Sequence, residues 1–169
     1  MKKQNLIAVI VIGFLIVILA GGSPFFVVDI IHTAIVVQLG KPVRTITEPG
    51  LKFKVPFIQE VIKFDKRLLS YDSNAQDVVT KDKKTLVIDN FAKWRIIEPL
   101  KFYETIRTEQ AARVRLDDII YSELRVDLGQ YDLSEIISKN RSVIMATVTR
   151  IANEKALEYG TEIRDVRIK

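Results

Sequence analysis

Leu86-Val87-Ile88-Asp89-Asn90-Phe91-Ala92-Lys93-Trp94-Arg95-Ile96, followed at once by Ile97-Glu98-Pro99, is the stretch on which the fold turns. Its first eleven residues are the longest β-prone run of the chain, rich in β-branched and aromatic side chains. Glu98-Pro99 then reads as a helix start, because proline at the first helical turn loses no hydrogen bond and already has a helical φ. Leu100, Tyr103 and Ile106 follow at helical spacing. The apolar pattern therefore changes from strand-like to helix-like here, and the chain on either side obeys the same division.

Upstream, short strand candidates are separated by turn signals. Ile35–Leu39 is stopped by Gly40 and Pro42, and Val43–Thr47 runs into Glu48-Pro49-Gly50. Leu51-Lys52-Phe53-Lys54-Val55 alternates apolar and charged residues, the pattern of a half-buried strand, and Pro56 ends it. Val61–Asp65 and Asp77–Thr80 are further candidates, with Lys81–Lys84 as a hairpin turn before Leu86. Short connections between consecutive strands predict antiparallel pairing. Downstream, Leu116, Ile119, Ile120, Leu124 and Leu128 make a helical stripe closed by Gly129. Asp132 or Ser134 caps a second stripe of Ile136, Ile137, Val143, Ile144, Val148 and Ile151, running on to Leu157 and closed by Tyr159-Gly160. Thr161–Lys169 alternates as a last strand. Strands, then helices, then a returning strand predict an α+β domain over residues 29–169.

The N-terminus is of another kind. Leu6–Ala20 carry no charge and no hydrogen-bonding side chain, and the apolar character continues through Gly21-Gly22-Ser23-Pro24 to Phe25–Val28. About 20 such residues cross a bilayer core as a helix, so residues 6–28 are expected to be a single transmembrane helix. Lys2 and Lys3 favour keeping residues 1–5 in the cytoplasm, which puts the domain on the periplasmic or outer side of a bacterial inner membrane. The alternative is a cleaved signal peptide ending at Ala20–Ser23, against which stands the apolar run continuing beyond those small residues.

Composition narrows the chemistry. The chain has 26 Lys and Arg against 21 Asp and Glu, interleaved rather than blocked. Lys81, Lys83 and Lys84 are the densest basic cluster and fit a solvated turn; nucleic acid is not an expected partner. There is no cysteine, so thiol chemistry and thiolate metal sites are excluded. His32 is the only histidine, close to the apolar run, where an interfacial or hydrogen-bonding role suits it. Ser70, Ser73, Ser122, Ser134, Ser138 and Ser142 lack a nucleophile context and read as caps, turns and helix-surface residues. Asp117 and Asp118 are neighbours on a helix, pointing about 100° apart, and do not share a site. One histidine and scattered carboxylates make a poor metal set. No catalytic residue, metal or cofactor is expected. Trp94, Phe53 and Phe57 are expected in the core, with one alternative: Phe57, if exposed on a turn after Pro56, inserts into the outer leaflet.

Pro49-Gly50-Leu51-Lys52-Phe53-Lys54-Val55-Pro56-Phe57 resembles a segment of the band 7 or SPFH family, the group of stomatin, prohibitin, flotillin and HflK/HflC. Val79–Asp89 and Asp165–Lys169 resemble later segments in the same order, and Lys93-Trp94-Arg95-Ile96 is similar to the HflC branch rather than to stomatin. Where the family has an acidic-basic-glycine step after its anchor, this chain has His32-Thr33-Ala34. The resemblance implies a non-catalytic modulator that pairs with an HflK-like protein and regulates an FtsH-like ATP-dependent membrane protease, beside membrane lipids. It also implies oligomerisation through a long coiled-coil helix. That helix would lie beyond Lys169 in a longer protein, or be missing from a naturally short relative. A stomatin-like membrane-microdomain scaffold and an anchored hydrolase with an unrecognised site are the alternatives.

Overall fold

The computed structural model describes residues 9–14, 23–137 and 141–168. Residues 9–14 are helical and exposed, and among the described residues no helix is long and apolar enough to cross a membrane. Residues 1–8 and 15–22, which carry about half of the expected transmembrane helix, lie outside the described residues, as does Ser138. The chain divides into two compact units, Met1–Asp65 and Lys66–Lys169. Together they give the α+β composition that the change of period at Glu98-Pro99 predicts.

The first unit is all strand after Ser23. Strands β1 (Phe25–Val28) and β4 (Gly50–Phe53) form an antiparallel ribbon. Strands β2 (His32–Gln38), β3 (Lys41–Ile46) and β5 (Gln59–Asp65) form an antiparallel sheet in the order β3-β2-β5. β1 corrects the C-terminal limit of the expected 6–28 helix. Pro24 cannot continue a helix, and Phe-Phe-Val-Val pairs residue for residue with β4, from Phe25 opposite Phe53 to Val28 opposite Gly50. The core of this unit gathers Val28, Ala34, Val36 and Ile46, with Phe26 and Val61 packed against them. Gln38 and Lys41 pair across a two-residue turn in which Leu39 and Gly40 both have positive φ (49° and 82°), the type I′ geometry that matches strand twist.

The second unit centres on β9 (Asn90–Ile96), with β6 (Leu69–Asp72) on one side and β10 (Thr161–Ile168) on the other, all antiparallel. The long run from Leu86 to Ile96 is in fact two strands: β8 (Thr85–Ile88) ends before Asp89 and pairs with β7 (Gln76–Val79) as a hairpin. Its turn is the expected Lys81–Lys84 segment. The Thr80 hydroxyl donates to Asp82 Oδ1 and accepts the Lys84 N–H. Hydrogen bonding by Thr80 and by Lys84 holds the Asp82 carboxyl down at about 2. Helix α1 (Pro99–Thr105) starts at Pro99 as expected, but the residue it buries is Phe102, while Leu100 is exposed. Helix α2 (Glu109–Leu128) is capped by the Thr108 hydroxyl and buries the predicted stripe from Leu116 to Leu128. Short helix α3 (Leu133–Ile137) precedes α4 (Arg141–Ala156), which packs on both α2 and β10. Of the second predicted stripe Ile136, Ile144 and Val148 are buried, whereas Ile137 and Val143 are exposed.

Candidate functional site: an apolar end of the first unit

Several turns and strand ends converge where the chain leaves the apolar N-terminal run. The Lys54 N–H donates to the Pro24 carbonyl at 2.7 Å, and Phe25 faces Phe53 across the ribbon with its ring edge-on at 5.9 Å. Beyond Phe53 the chain turns through Pro56, Phe57 and Ile58. That turn is tied by Gln59 N–H to the Val55 carbonyl at 3.0 Å and Val55 N–H to Gln59 Oε1 at 2.9 Å. Gln59 Nε2 in turn donates to Gln38 Oε1 at 3.0 Å, which brings the Leu39-Gly40 turn to the same end. Val37, Leu39, Lys54 and Phe57 line one hollow there of about 320 Å³. This is the Pro24 end of the first unit.

What it presents is apolar. Phe25, Val27, Leu51 and Phe53 share the outer face of the ribbon, and all four are more than half exposed. Their alternates Phe26 and Val28 turn inward to the core. Leu39 is 84% exposed and Phe57 71% exposed. Both hold a left-handed backbone, φ 49° and 66°, which is uncommon for large side chains and disfavoured by about 1–2 kcal/mol. Two bulky apolar residues are thus held outward at the tips of adjoining turns. An exposed ribbon face and two exposed turn tips that are all apolar are the kind of surface that meets something other than water.

This overturns part of the sequence reading. Trp94 is in the core as expected, fully buried on β9, but Phe53 and Phe57 are not. The alternation of 51–55 is real, yet its apolar side is the exposed one. Phe57 does lie on an exposed turn after Pro56, the condition under which leaflet insertion was expected. Leu39 escaped the sequence reading because it looked like the last residue of an apolar strand; the Leu-Gly pair preceding Lys41-Pro42 was the available turn signal.

Of the other singled-out residues His32 belongs to the first unit, and the carboxylates and serines belong to the second. His32 opens β2 at the opposite end of the unit, with Nδ1 3.5 Å from Asp29 Oδ2. Asp117 accepts a hydrogen bond from the Tyr71 hydroxyl at 3.2 Å, and burial raises its carboxyl above the usual range; burial, with Asp117 second, also raises the Tyr71 phenol. Asp118 lines a different hollow, with Arg115, Ser122, Lys155 and Tyr159, so the adjacent carboxylates do not form one site. Ser122 and Lys155 share that hollow, and the Lys155 side chain is paired with Glu123, its Nζ 2.5 Å from Oε1. Ser73 donates to the Asn90 carbonyl as a structural bond. Among the described residues no cluster of three or more His, Asp or Glu is arranged to hold a metal.

Comparison with known proteins agrees with this architecture. The sequence profile of the group described as SPFH domain / Band 7 family matches residues 26–169, beginning inside β1. The chain is 32% identical to Protein HflC of Borreliella burgdorferi over 177 aligned residues, covering 87% of this chain and 55% of the relative. It is 30% identical to Protein HflC of Treponema pallidum, over 78% of this chain and 41% of the relative. It is also 30% identical to the Escherichia coli protein named Modulator of FtsH protease HflC, over 95% of this chain and 48% of the relative. The chain spans about half the length of the curated relatives it matches. On the profile match and these similarities, the chain belongs to the SPFH domain / Band 7 family.

Proposed function

We propose that this chain is the membrane-proximal part of an HflC-like modulator of an FtsH-like membrane protease, acting by contact and not by catalysis. The observation that carries the reading is the apolar Pro24 end, set directly after an uncharged apolar run in a chain whose relatives include a named FtsH modulator. In this reading residues 6 to about 23 cross the inner membrane and residues 1–5 stay in the cytoplasm. The outer face of the ribbon, with Leu39 and Phe57, then rests in the periplasmic leaflet. A domain seated in this way beside a membrane protease alters lateral access to it and holds an HflK-like partner, with no catalytic group required.

An affinity pull-down of the tagged, detergent-solubilised chain, read by mass spectrometry, tests the proposal. Recovery of an FtsH-like protease together with an HflK-like protein is the expected result. Lipid enrichment without the protease would favour a stomatin-like scaffold, since the same apolar face would serve one. To place any failure, the pull-down is repeated with the chain extended past Lys169; failure of both versions refutes the modulator reading.

A further inference from the structure

The charged residues of the first unit are partly sorted along its length: Lys63 lies towards the end that holds Asp65, and Lys52 pairs with Glu48 at 3.8 Å. From Ser23 to Asp65 there are five basic residues, Lys41, Arg44, Lys52, Lys54 and Lys63, and four acidic ones, Asp29, Glu48, Glu60 and Asp65. Strand register places Lys41 beside the Leu39-Gly40 turn and Lys54 against Pro24, both at the Pro24 end. Arg44 comes from the middle of β3, but its Nη2 donates to the Phe53 carbonyl at 2.6 Å, which holds the guanidinium at the same end. Asp29, Glu48 and Asp65 lie at the other end, beside Val28, Gly50 and His32. Glu60 is the one acidic residue towards the Pro24 end.

Resting on the leaflet reading above, we infer that the Pro24 end selects anionic phospholipid, with Arg44 as the headgroup-phosphate contact. A bilayer is the partner that fits an apolar face with cations at its rim, since acyl chains take the first and phosphates the second. Arg44 is exposed and has five N–H donors, of which one is engaged at Phe53. A guanidinium fixed by one bond presents its remaining donors in the planar fork that suits phosphate oxygens. Lys41 and Lys54 have flexible stems that lie along apolar surface while their ammonium groups reach the headgroup level. The acidic residues at the opposite end are kept away from the lipid charge.

Because the chain contains no cysteine, a single engineered one is a unique label site. Val55→Cys, carrying an environment-sensitive fluorophore, is made in the full chain and reconstituted into phosphatidylcholine vesicles with and without phosphatidylglycerol. Quenching by nitroxide-bearing lipid reports whether the face is in the leaflet. Energy transfer to headgroup-labelled phosphatidylglycerol, against headgroup-labelled phosphatidylcholine, reports lipid selection. The expected result is quenching in both the parent and Arg44→Gln, with the preference for phosphatidylglycerol falling about fivefold in Arg44→Gln, the usual contribution of one basic residue at an anionic surface. Glutamine can still donate to the Phe53 carbonyl, so the variant removes charge and leaves the tether. Quenching with equal preference in parent and variant would overturn the lipid selection and leave the leaflet reading standing. Absence of quenching would remove both. Loss of the preference on adding inorganic phosphate to the aqueous phase would mean that the site takes free phosphate, and would also overturn the inference.

Discussion

Gly160 is the residue on which the second unit's order of elements most depends. It ends the short 3₁₀ turn Leu157–Tyr159 with φ 71°, and its carbonyl accepts the N–H groups of both Ile97 and Glu98 at 3.0 Å. One residue thereby joins the end of β9, the start of α1 and the start of β10. A side chain there meets two obstacles. The left-handed backbone costs an ordinary residue about 1–2 kcal/mol, and a Cβ would come within 2.5 Å of the Glu98 carbonyl oxygen and 2.9 Å of the Phe102 nitrogen, both backbone atoms that cannot rotate aside. Gly160→Ala is therefore expected to destabilise the chain by about 2–4 kcal/mol, within the range reserved for strained backbone and overpacked sites. A urea titration followed by far-UV circular dichroism checks this; a midpoint equal to the parent's would show that the junction relaxes at no cost. Tyr159-Gly160 was legible as a stop from sequence alone. That the glycine carbonyl also receives the start of α1 was not, because nothing local in residues 97–98 announces a partner more than sixty residues away.

Among the elements, β10 shows how a sheet edge is kept from pairing with another chain. β9 covers one side of it, and helix α4 supplies the other with side chains at four-residue spacing. Asn153 Oδ1 accepts the Ile163 N–H at 2.9 Å and Thr149 Oγ1 accepts the Val166 N–H at 3.2 Å. Two turns earlier on the helix, Arg141 donates to the Ile168 carbonyl at 2.5 Å. The bulge between Ile163 and Asp165 shifts the register of the strand between the two accepted N–H groups. Removing an acceptor leaves a half-buried N–H without a partner, which costs about 1–3 kcal/mol. Asn153→Ala and Thr149→Val are each expected to lower stability by that order, and hydrogen exchange should speed up at Ile163 in the first and at Val166 in the second. Unchanged exchange at both amides would show that these two side chains do not protect them. Sequence periodicity identified α4 and β10 as elements and named Ile144 and Val148 correctly, but Thr149 and Asn153 read only as polar face. The same limit explains the 51–55 ribbon. Alternation shows that Leu51, Phe53 and Val55 share a side, and it carries no information on whether that side meets protein core or lipid. In α1 the spacing of Leu100, Tyr103 and Ile106 was helical, yet Phe102 fills the core. A seven-residue helix is too short for its stripe to determine its face.

For the whole molecule, the apolar N-terminal sequence divides into two stretches. Part of it, from Leu6 to about Ser23, is uncharged and suited to hydrocarbon, while Phe25–Val28 belong to a strand whose outer side is apolar and whose inner side builds the core of the first unit. The family profile starting at residue 26 agrees with that division. If the Pro24 end meets the bilayer, attachment does not rest on the leading segment alone. Each large side chain moved from water to an apolar surrounding contributes about 1.5–3 kcal/mol when fully covered, so Leu39 and Phe57 together have enough apolar surface to hold a chain without its leader on vesicles reversibly. A version lacking residues 1–22 is accordingly expected to float with phosphatidylglycerol-containing vesicles in a density gradient. Leu39→Asp with Phe57→Asp should leave it at the bottom, because a carboxylate at either tip carries a charge that the leaflet interior excludes. Neither side chain contributes to the core, and aspartate tolerates a left-handed backbone better than leucine or phenylalanine, so the circular dichroism spectrum of the double variant should match its parent's. Flotation of the double variant at the parent's level would move the contact elsewhere on the surface. Failure of the parent itself to float, with an intact spectrum, would assign all of the membrane attachment to residues 1–22.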